Sequence, residues 1–525
     1  MQSSADEYTY TFLFQFSEPL NMMFKAKIIP LKTGRHTVIM NQTDADEIGL
    51  FEGDRVRVFS KRSMVATVQI AIGLIERGEV GICKGIAEEC GISDGDEVRI
   101  IPVPKPRSVE FIRKKLDGNK LTRDEIYEIV KDIVNNTLTE IELTTFVLSS
   151  YVHGMDFDEI EWLTRAMVET GEVLTFEEGI VVDKHSIGGV PGNKISLLVV
   201  PIVASSGLLI PKTSSRAITS ASGTADTMEV LANVNLSIEE IKEITERVGG
   251  VIAWGGATNI APADDKIIRV EYPLAIDPRP QLLASVMAKK AAIGAKDIVI
   301  DIPVGLGSKV PNIEVGKSLA NDFVELGRRL GLNVTCALTY GGQPIGRAVG
   351  PALEAWEALK TLEERRGAKS LIEKALGIAG IIFEMAGKAF NGYEYAREIF
   401  ESGKALEKFK QIIEAQGGDP NVKSNDIQIG DKTYDFVSQI DGAVANVFND
   451  RVVKVARAAG APKDKGAGIL LFKKGGSHVK KGEVLFRIYA EKEWKLDKAI
   501  ETAMREPPVI VSGMILDRYP SHRFM

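Results

Sequence analysis

The sequence predicts an α/β protein with additional β domains at both ends. The order read from it is an N-terminal pseudo-duplicated β-barrel, a helical domain, a mostly parallel α/β domain and a C-terminal β-rich α+β domain. Three observations carry this reading. A repeat near the N-terminus pairs "ADEIGLFEGDRVRVFS" (45–60) with "AEECGISDGDEVRIIP" (87–102). Helical spacing behind capping residues follows it. From about residue 179, strand-like apolar runs alternate with helices, the pattern of a parallel sheet covered by helices. A chain of 525 residues has room for roughly three to four such domains.

Residues 1–22 carry no regular pattern and read as an extension outside the fold. The barrel is expected over 23–104. Each repeat copy gives a short helical turn, a Gly-Asp turn and a strand in which Arg57 or Arg99 alternates with apolar residues. "IPVPKPRS" (101–108) has the proline density of a linker. The helical domain is expected over 105–178. Its helices open at the capping boxes Thr122–Glu125 and Thr139–Glu142 and at Asp156, and the last stops at Gly171. The amphipathic stretch within about 262–293 is expected to join it. The α/β domain is expected over 179–424, with "SLLVVPIVASSG", "VIAWGG", "KDIVIDIPVG" and "NVTCALTYGG" as strand-like runs. Over 425–525, "GAGILLFKKGGSHVKKGEVLFRIYAE" reads as strands joined by Gly-Gly and Lys-Gly turns, in a form that resembles a barrel-sandwich domain.

Composition narrows the functional classes. The balance of 65 basic against 72 acidic residues leaves a net charge of −7, which argues against a general nucleic-acid binder. It leaves room for a small anionic substrate held by a local lysine cluster. Three cysteines without a CxxC pair give neither a disulfide framework nor a zinc spacing, and the five histidines are scattered, so no metal site is expected. The longest apolar run, 196–211, holds three serines and two prolines and is shorter than the ~20 residues a membrane span requires. The N-terminus lacks a secretory pattern, and a reducing, cytoplasmic compartment is expected.

Two stretches carry chemistry. "KHSIGGVPGNK" (184–194) places lysines, a serine and a glycine turn before an apolar run. It is not a nucleoside-triphosphate loop, because Asn193 separates Gly192 from Lys194 and Ile195 follows where a hydroxyl is required. Glycines that let backbone N–H groups approach an anion, with lysine charge beside them, still make a phosphate site. A plain glycine turn is the competing reading. "PKTSSRAITSASGTADTMEVLA" (211–232) crowds hydroxyls around Arg216 before a helix start. Both stretches follow presumed strands, where parallel sheets take their ligands.

"KHSIGG" followed by "SSRAITSASGTADTMEVL" resembles the thymidine/pyrimidine-nucleoside phosphorylase family. "APAD" (261–264), "ASVMAKKAA" (284–292), "VGLGSK" (304–309) and "GGQPIGRAVGPALEAWEAL" (341–359) extend the resemblance, which runs from about 107 to the end. The added N-terminal barrel is similar to an archaeal branch of that family. The resemblance implies phosphorolysis, with inorganic phosphate as co-substrate and no required cofactor. Lys184, Ser186, Ser196, Ser214 and Thr224 match the attacking-phosphate site. Gly189, Ser215, Arg216, Ala217, Ile218, Thr219, Ser220 and Thr224 match the nucleotide lining, and Ser285 and Lys289 match positions that contact the base. A homodimer or larger homo-oligomer is expected.

The sequence departs from the pyrimidine pattern in two places. "DKIIRVEYPLAID" after "APAD" is one residue short, and isoleucine and valine or glutamate fall near the places of the family's uracil-reading Tyr and Arg, with Arg269 adjacent. Lys309 stands where pyrimidine enzymes carry an apolar residue, and an added lysine suits a 5′-phosphate. The expectation is therefore a nucleoside 5′-monophosphate: AMP and phosphate giving adenine and ribose 1,5-bisphosphate, with Asp277 as general acid to the base and Lys309, with Arg216, at the 5′-phosphate. A pyrimidine-nucleoside phosphorylase and a Mg-dependent phosphoribosyltransferase, with Asp264 and Asp265 as metal ligands, are the alternatives.

Overall fold

The structure is a computed structural model that describes residues 22–513 apart from 32, 34, 35 and 219. The expected N-terminal extension thus lies outside the described residues except for Met22. The chain forms two compact units, one of residues up to Arg113 with Lys131–Thr145, the other of Lys114–Val130 with the chain from Phe146 onward.

The first unit holds β1 (Met23–Ile29), β2 (Thr37–Asn41), α1 (Gln42–Ile48), β3 (Arg55–Phe59), β4 (Ser63–Ala71), β5 (Glu79–Cys83), α2 (Lys84–Cys90) and β6 (Glu97–Pro102). The strands close a barrel in the order β1–β5–β2–β4–β3–β6. The repeat is the reason for its symmetry. Both copies run helix, turn, strand, and both turns make the same bond: Asp54 accepts from the Phe51 N–H at 2.8 Å, and Asp96 from the Ser93 N–H at 2.7 Å. Val56, Val58, Val98 and Ile100 fill the interior while Arg57 points to solvent, the alternation expected of a strand with one buried face.

Four helices follow in the chain, α3 (Ser108–Leu116), α4 (Arg123–Val134), α5 (Glu140–His153) and α6 (Phe157–Glu169). The Thr122–Glu125, Thr139–Glu142 and Asp156–Glu159 boxes each make both reciprocal bonds. The first helix was not read from the sequence. It begins at Ser108, so the linker is only the stretch between Pro102 and Ser108.

The second unit is built on parallel strands β7 (Val182–Ser186), β8 (Ile210–Ser214), β9 (Gly250–Trp254), β10 (Asp297–Val304) and β11 (Asn333–Tyr340). The register groups β11–β10–β7 and β8–β9, and a parallel bridge Val181–Leu209 joins the two groups. Their connections are α7 (Ser196–Ala204), α8 (Thr224–Met228), α9 (Ile238–Val248), α10 (Pro262–Leu274), α11 (Arg279–Ala292) and α12 (Ile313–Leu330). A short β12 (Ala348–Val349) leads to α13 (Pro351–Glu364), α14 (Lys369–Met385), α15 (Gly392–Glu401) and α16 (Lys404–Ala415), and α7, α13, α14, α15 and α16 enclose one large apolar core. "SLLVVPIVASSG" was expected as a strand, and the structure makes it α7. Every residue of that helix is buried, so it carries no polar face, and an apolar run without periodicity does not distinguish a buried helix from a buried strand. Within 262–293, α11 packs against α6.

The C-terminal part carries β13 (Lys432–Val437), β14 (Gly442–Val447), α17 (Asn449–Ala458), β15 (Gly468–Leu471), β16 (His478–Val479), β17 (Val484–Ala490), α18 (Glu493–Arg505) and β18 (Val509–Ser512). Its two antiparallel sheets, β12–β15–β17–β13 and β16–β14–β18, share an apolar core with the two helices.

Candidate active site

Lys184 and Ser186 stand on β7 and Ser214 ends β8. Counted on from the Val181–Leu209 bridge, Ser186 and Ser214 lie level at the C-terminal ends of neighbouring parallel strands. Ser186 pairs in register with Asp301 of β10, and Ser214 with Trp254 of β9. One row across the C-terminal edge therefore presents Asp301, Ser186, Ser214 and Trp254, at the edge where open parallel sheets bind ligands.

Asp301 fixes the expected phosphate loop. Its carboxylate accepts from Ser186 Oγ at 2.7 Å, Thr339 Oγ1 at 2.5 Å and Asn193 Nδ2 at 3.4 Å, and it pairs with Lys374 Nζ at 2.9 Å. Burial pushes this carboxyl up, but Lys374, Thr339 and Lys184 outweigh it and hold it below the usual carboxylate range. Lys184 is buried and donates to Ser186 Oγ at 3.2 Å. Burial pushes its ammonium down to about 8 against the opposing pull of Asp301.

Behind it, Asp183 holds Lys290 in a short ion pair and Lys212 at 3.7 Å. Burial also drives Lys212 well below its ordinary value. His185 is pushed down by burial and then by Lys290, Lys212, Lys289 and Lys184, so its imidazole is neutral at pH 7. Buried lysines that are costly to keep charged are stabilised by an incoming anion, and that is the electrostatic condition for a phosphate site.

Ser196 is the first residue of α7 and fully buried, and its Oγ finds no hydrogen-bond partner among the described residues. Thr224 opens α8. Gly189 has φ +83°, and a Cβ there would stand 2.8 Å from the backbone N of Lys309. Only glycine lets these two loops approach so closely. Lys309 is in turn ion-paired with Asp277, both side chains being partly exposed. On α11, Ser285 lies one turn before Lys289, and Lys289 pairs with Asp264 of α10 at 2.6 Å. Asp264 is thus already matched by a cation.

The loop from Ser215 to Gly223 folds tightly. Asp226 accepts from the backbone of Ala217 at 2.7 Å and of Gly223 at 3.0 Å. Arg216 makes two bonds to Glu229, at 2.7 and 2.5 Å, and stacks on Trp254 at 4.7 Å. Its guanidinium organises the loop, so it does not stand free for a 5′-phosphate. Ser215 and Ile218 face solvent, and Ser220 Oγ donates to the Ser222 carbonyl at 3.2 Å. Thr219 lies outside the described residues. From the C-terminal part, Arg457 donates to the carbonyls of Ile218 and Ser220, and Lys465 pairs with Glu229 at 2.6 Å.

Sequence reasoning missed Asp183, Lys212, Lys290, Asp301, Lys374 and Arg457 as site supports. Lys290 and Asp183 each adjoin a residue it did name, which was the available signal. Asp301, Lys374 and Arg457 are distant in the chain and join the site only through the sheet register and the C-terminal contacts.

The chain is similar to known proteins along most of its length. Residues 109–171 match a glycosyl transferase family helical bundle domain, 178–406 the glycosyl transferase family a/b domain, and 443–507 the pyrimidine nucleoside phosphorylase C-terminal domain. The chain is 68% identical over 499 residues to AMP phosphorylase 1 of Archaeoglobus fulgidus, covering 95% of this chain and 99% of that protein. It is 55% identical to AMP phosphorylase 2 of the same organism, covering 96% of this chain and 100% of that protein. It is 54% identical to the AMP phosphorylase of Methanosarcina mazei, covering 95% and 99%. Among solved structures, anthranilate phosphoribosyltransferase from Thermus thermophilus superposes with a TM-score of 0.50 at 20% identity, covering 58% of this chain and 99% of that one, a likeness of fold.

Proposed function

Because the chain belongs to the family of the archaeal AMP phosphorylases, we propose that it cleaves AMP with inorganic phosphate to adenine and ribose 1,5-bisphosphate. The observation that carries the reading is the convergence at Lys309. This residue packs on Gly189 of the 184–194 loop and pairs with Asp277, which supports a reading in which one lysine links the bound phosphate, the 5′-phosphate and the proton donor.

Phosphate sits over Lys184 with the hydroxyls of Ser186, Ser196, Ser214 and Thr224. The loop from Ser215 to Ser220 lines the nucleotide, and Ser285 and Lys289 face the base. Lys309 takes the 5′-phosphate. As the glycosidic bond stretches, the ribosyl carbon gains positive charge that the phosphate anion stabilises, and Asp277 delivers a proton to the departing base. The bond from a phosphate oxygen to C1′ forms as the C1′–N9 bond breaks, and that bonding pair leaves with the base, which departs as neutral adenine carrying the proton from Asp277. Positioning and preorganised charge supply most of the acceleration.

The reaction needs no metal or organic cofactor in this scheme. Phosphoribosyl transfer through Asp264 and Asp265 is disfavoured by the commitment of Asp264 to Lys289. No helix among the described residues is long and apolar enough to cross a membrane. A cytoplasmic homodimer or larger homo-oligomer is part of this reading.

The test is incubation with phosphate and each nucleoside 5′-monophosphate, following release of free base, with and without EDTA. Adenine release that persists in EDTA is expected. No base release, or release that requires added Mg²⁺, contradicts the reading.

A further inference from the structure

We propose that Gln281, in the first turn of α11, together with Glu271, in the last turn of α10, reads the amino and ring-nitrogen edge of the adenine. The inference rests on the AMP-cleaving function proposed above and adds the specificity-determining contact to it.

Gln281 is 2% exposed, and among the described residues neither its amide oxygen nor its amide nitrogen has a hydrogen-bond partner. A buried amide with both ends unpaired is costly, and in native proteins such groups are satisfied by something. Its position points to a base. It lies one helical turn before Ser285 and two before Lys289, so the three share one stripe of α11. Ser285 and Lys289 are the residues expected to contact the base.

Glu271, in the last turn of α10, is 9% exposed and leaves its Oε1 buried without a partner among the described residues. It lies on the same stripe of α10 as Asp264, two turns on, and Asp264 reaches across to Lys289. Burial, and then Asp264 and Asp277, push its carboxyl up to about 8, against Lys309 and Lys289. The neutral acid can both donate and accept, as the amide can.

Adenine offers a donor amino group beside an acceptor ring nitrogen, and a glutamine amide matches that pair with two parallel bonds. The sequence fits this assignment: the segment after "APAD" departs from the Tyr and Arg pattern that reads uracil, Glu271 lies within it and Gln281 four residues beyond it, and both are buried polar side chains.

The experiment compares AMP with purine riboside 5′-monophosphate, which lacks the amino group, in the wild type and in Gln281→Met. The wild type is expected to favour AMP in kcat/KM by about tenfold or more, because a site built to bond a polar group rejects an analogue without it. Gln281→Met is expected to remove most of that preference by lowering kcat/KM for AMP alone, with the KM for phosphate unchanged. Equal losses on both substrates, or a wild type without preference, overturn the proposal. If Gln281→Met does not fold, Gln281→Glu, which keeps the acceptor and loses the donor, is put through the same comparison. A wild type that releases no adenine from AMP defeats the proposed function itself, a result distinct from either outcome.

Discussion

The ammonium of Lys309 is paired with the carboxylate of Asp277, so the residue expected at the 5′-phosphate and the residue expected to protonate the base are in direct contact. A nucleotide phosphate competes with Asp277 for the same cation. In the proposed mechanism, binding of the 5′-phosphate draws Lys309 from Asp277, and the carboxylate released from its cation takes up the proton that it then delivers to the base.

Asp277→Asn keeps the side-chain shape and removes the transferable proton. It is expected to lower kcat for adenine release by about 10²–10⁴, with little change in nucleotide KM. A nucleotide methylated at N7, whose base leaves without protonation, is expected to restore turnover in the variant. Equal loss on both substrates would assign Asp277 to the turn before Pro278.

Lys184 is charged below about pH 8 and loses its charge above it, because burial outweighs Asp301. Phosphate KM is therefore expected to rise as pH climbs through 8, where phosphate is already a dianion. Lys184→Met is expected to raise phosphate KM at neutral pH and flatten that rise, while nucleotide KM stays near the wild-type value. A steady-state pH series in phosphate concentration measures both.

Arg457 donates to the carbonyls of Ile218 and Ser220 at 3.0 and 2.9 Å, and thereby anchors the loop proposed to line the nucleotide. Arg457→Ala is expected to raise nucleotide KM by roughly threefold to tenfold, the equivalent of about one hydrogen bond. Phosphate KM is expected to hold. A change confined to phosphate would mean that the loop is fixed by Asp226 and Glu229 alone.

Glu271 holds its proton to about pH 8 in the folded protein, against an ordinary value of 4.5. The native state thus binds the proton more tightly than the unfolded chain, and this contribution to stability is full below pH 4.5 and lost as pH rises to 8. Glu271→Gln has no such loss. Its thermal stability relative to wild type is expected to improve from pH 5 to pH 8, by on the order of 1–3 kcal/mol. Asp264, Asp277, Lys289 and Lys309 face it in both proteins, so the difference isolates Glu271. A constant offset across that range would show that Glu271 is ionised in the fold.

The barrel and the capped helices were legible because their signals are local: Asp54 and Asp96 repeat one turn, and Thr122 and Asp156 sit directly before the helices they cap. The 184–194 turn was legible from its glycines, and the structure places Ser186 of that stretch at the C-terminal end of β7. Helix α7 was not, since burial on all sides erases periodicity. Arg216 was placed with Lys309 at the 5′-phosphate, because nothing near it in sequence announces that Glu229 and Trp254 fold back onto it. Gln281 was passed over for a similar reason. A buried amide is conspicuous only once its neighbours fail to satisfy it.

The most direct measurement of the central claim is kcat/KM for AMP and for adenosine, each with saturating phosphate, in the wild type and in Lys309→Met. A charge-assisted contact to the 5′-phosphate contributes about 1.5–3 kcal/mol, so the wild type is expected to favour AMP by roughly tenfold or more. Lys309→Met is expected to bring the two substrates close together by losing AMP activity. Equal use of AMP and adenosine by the wild type would contradict the account.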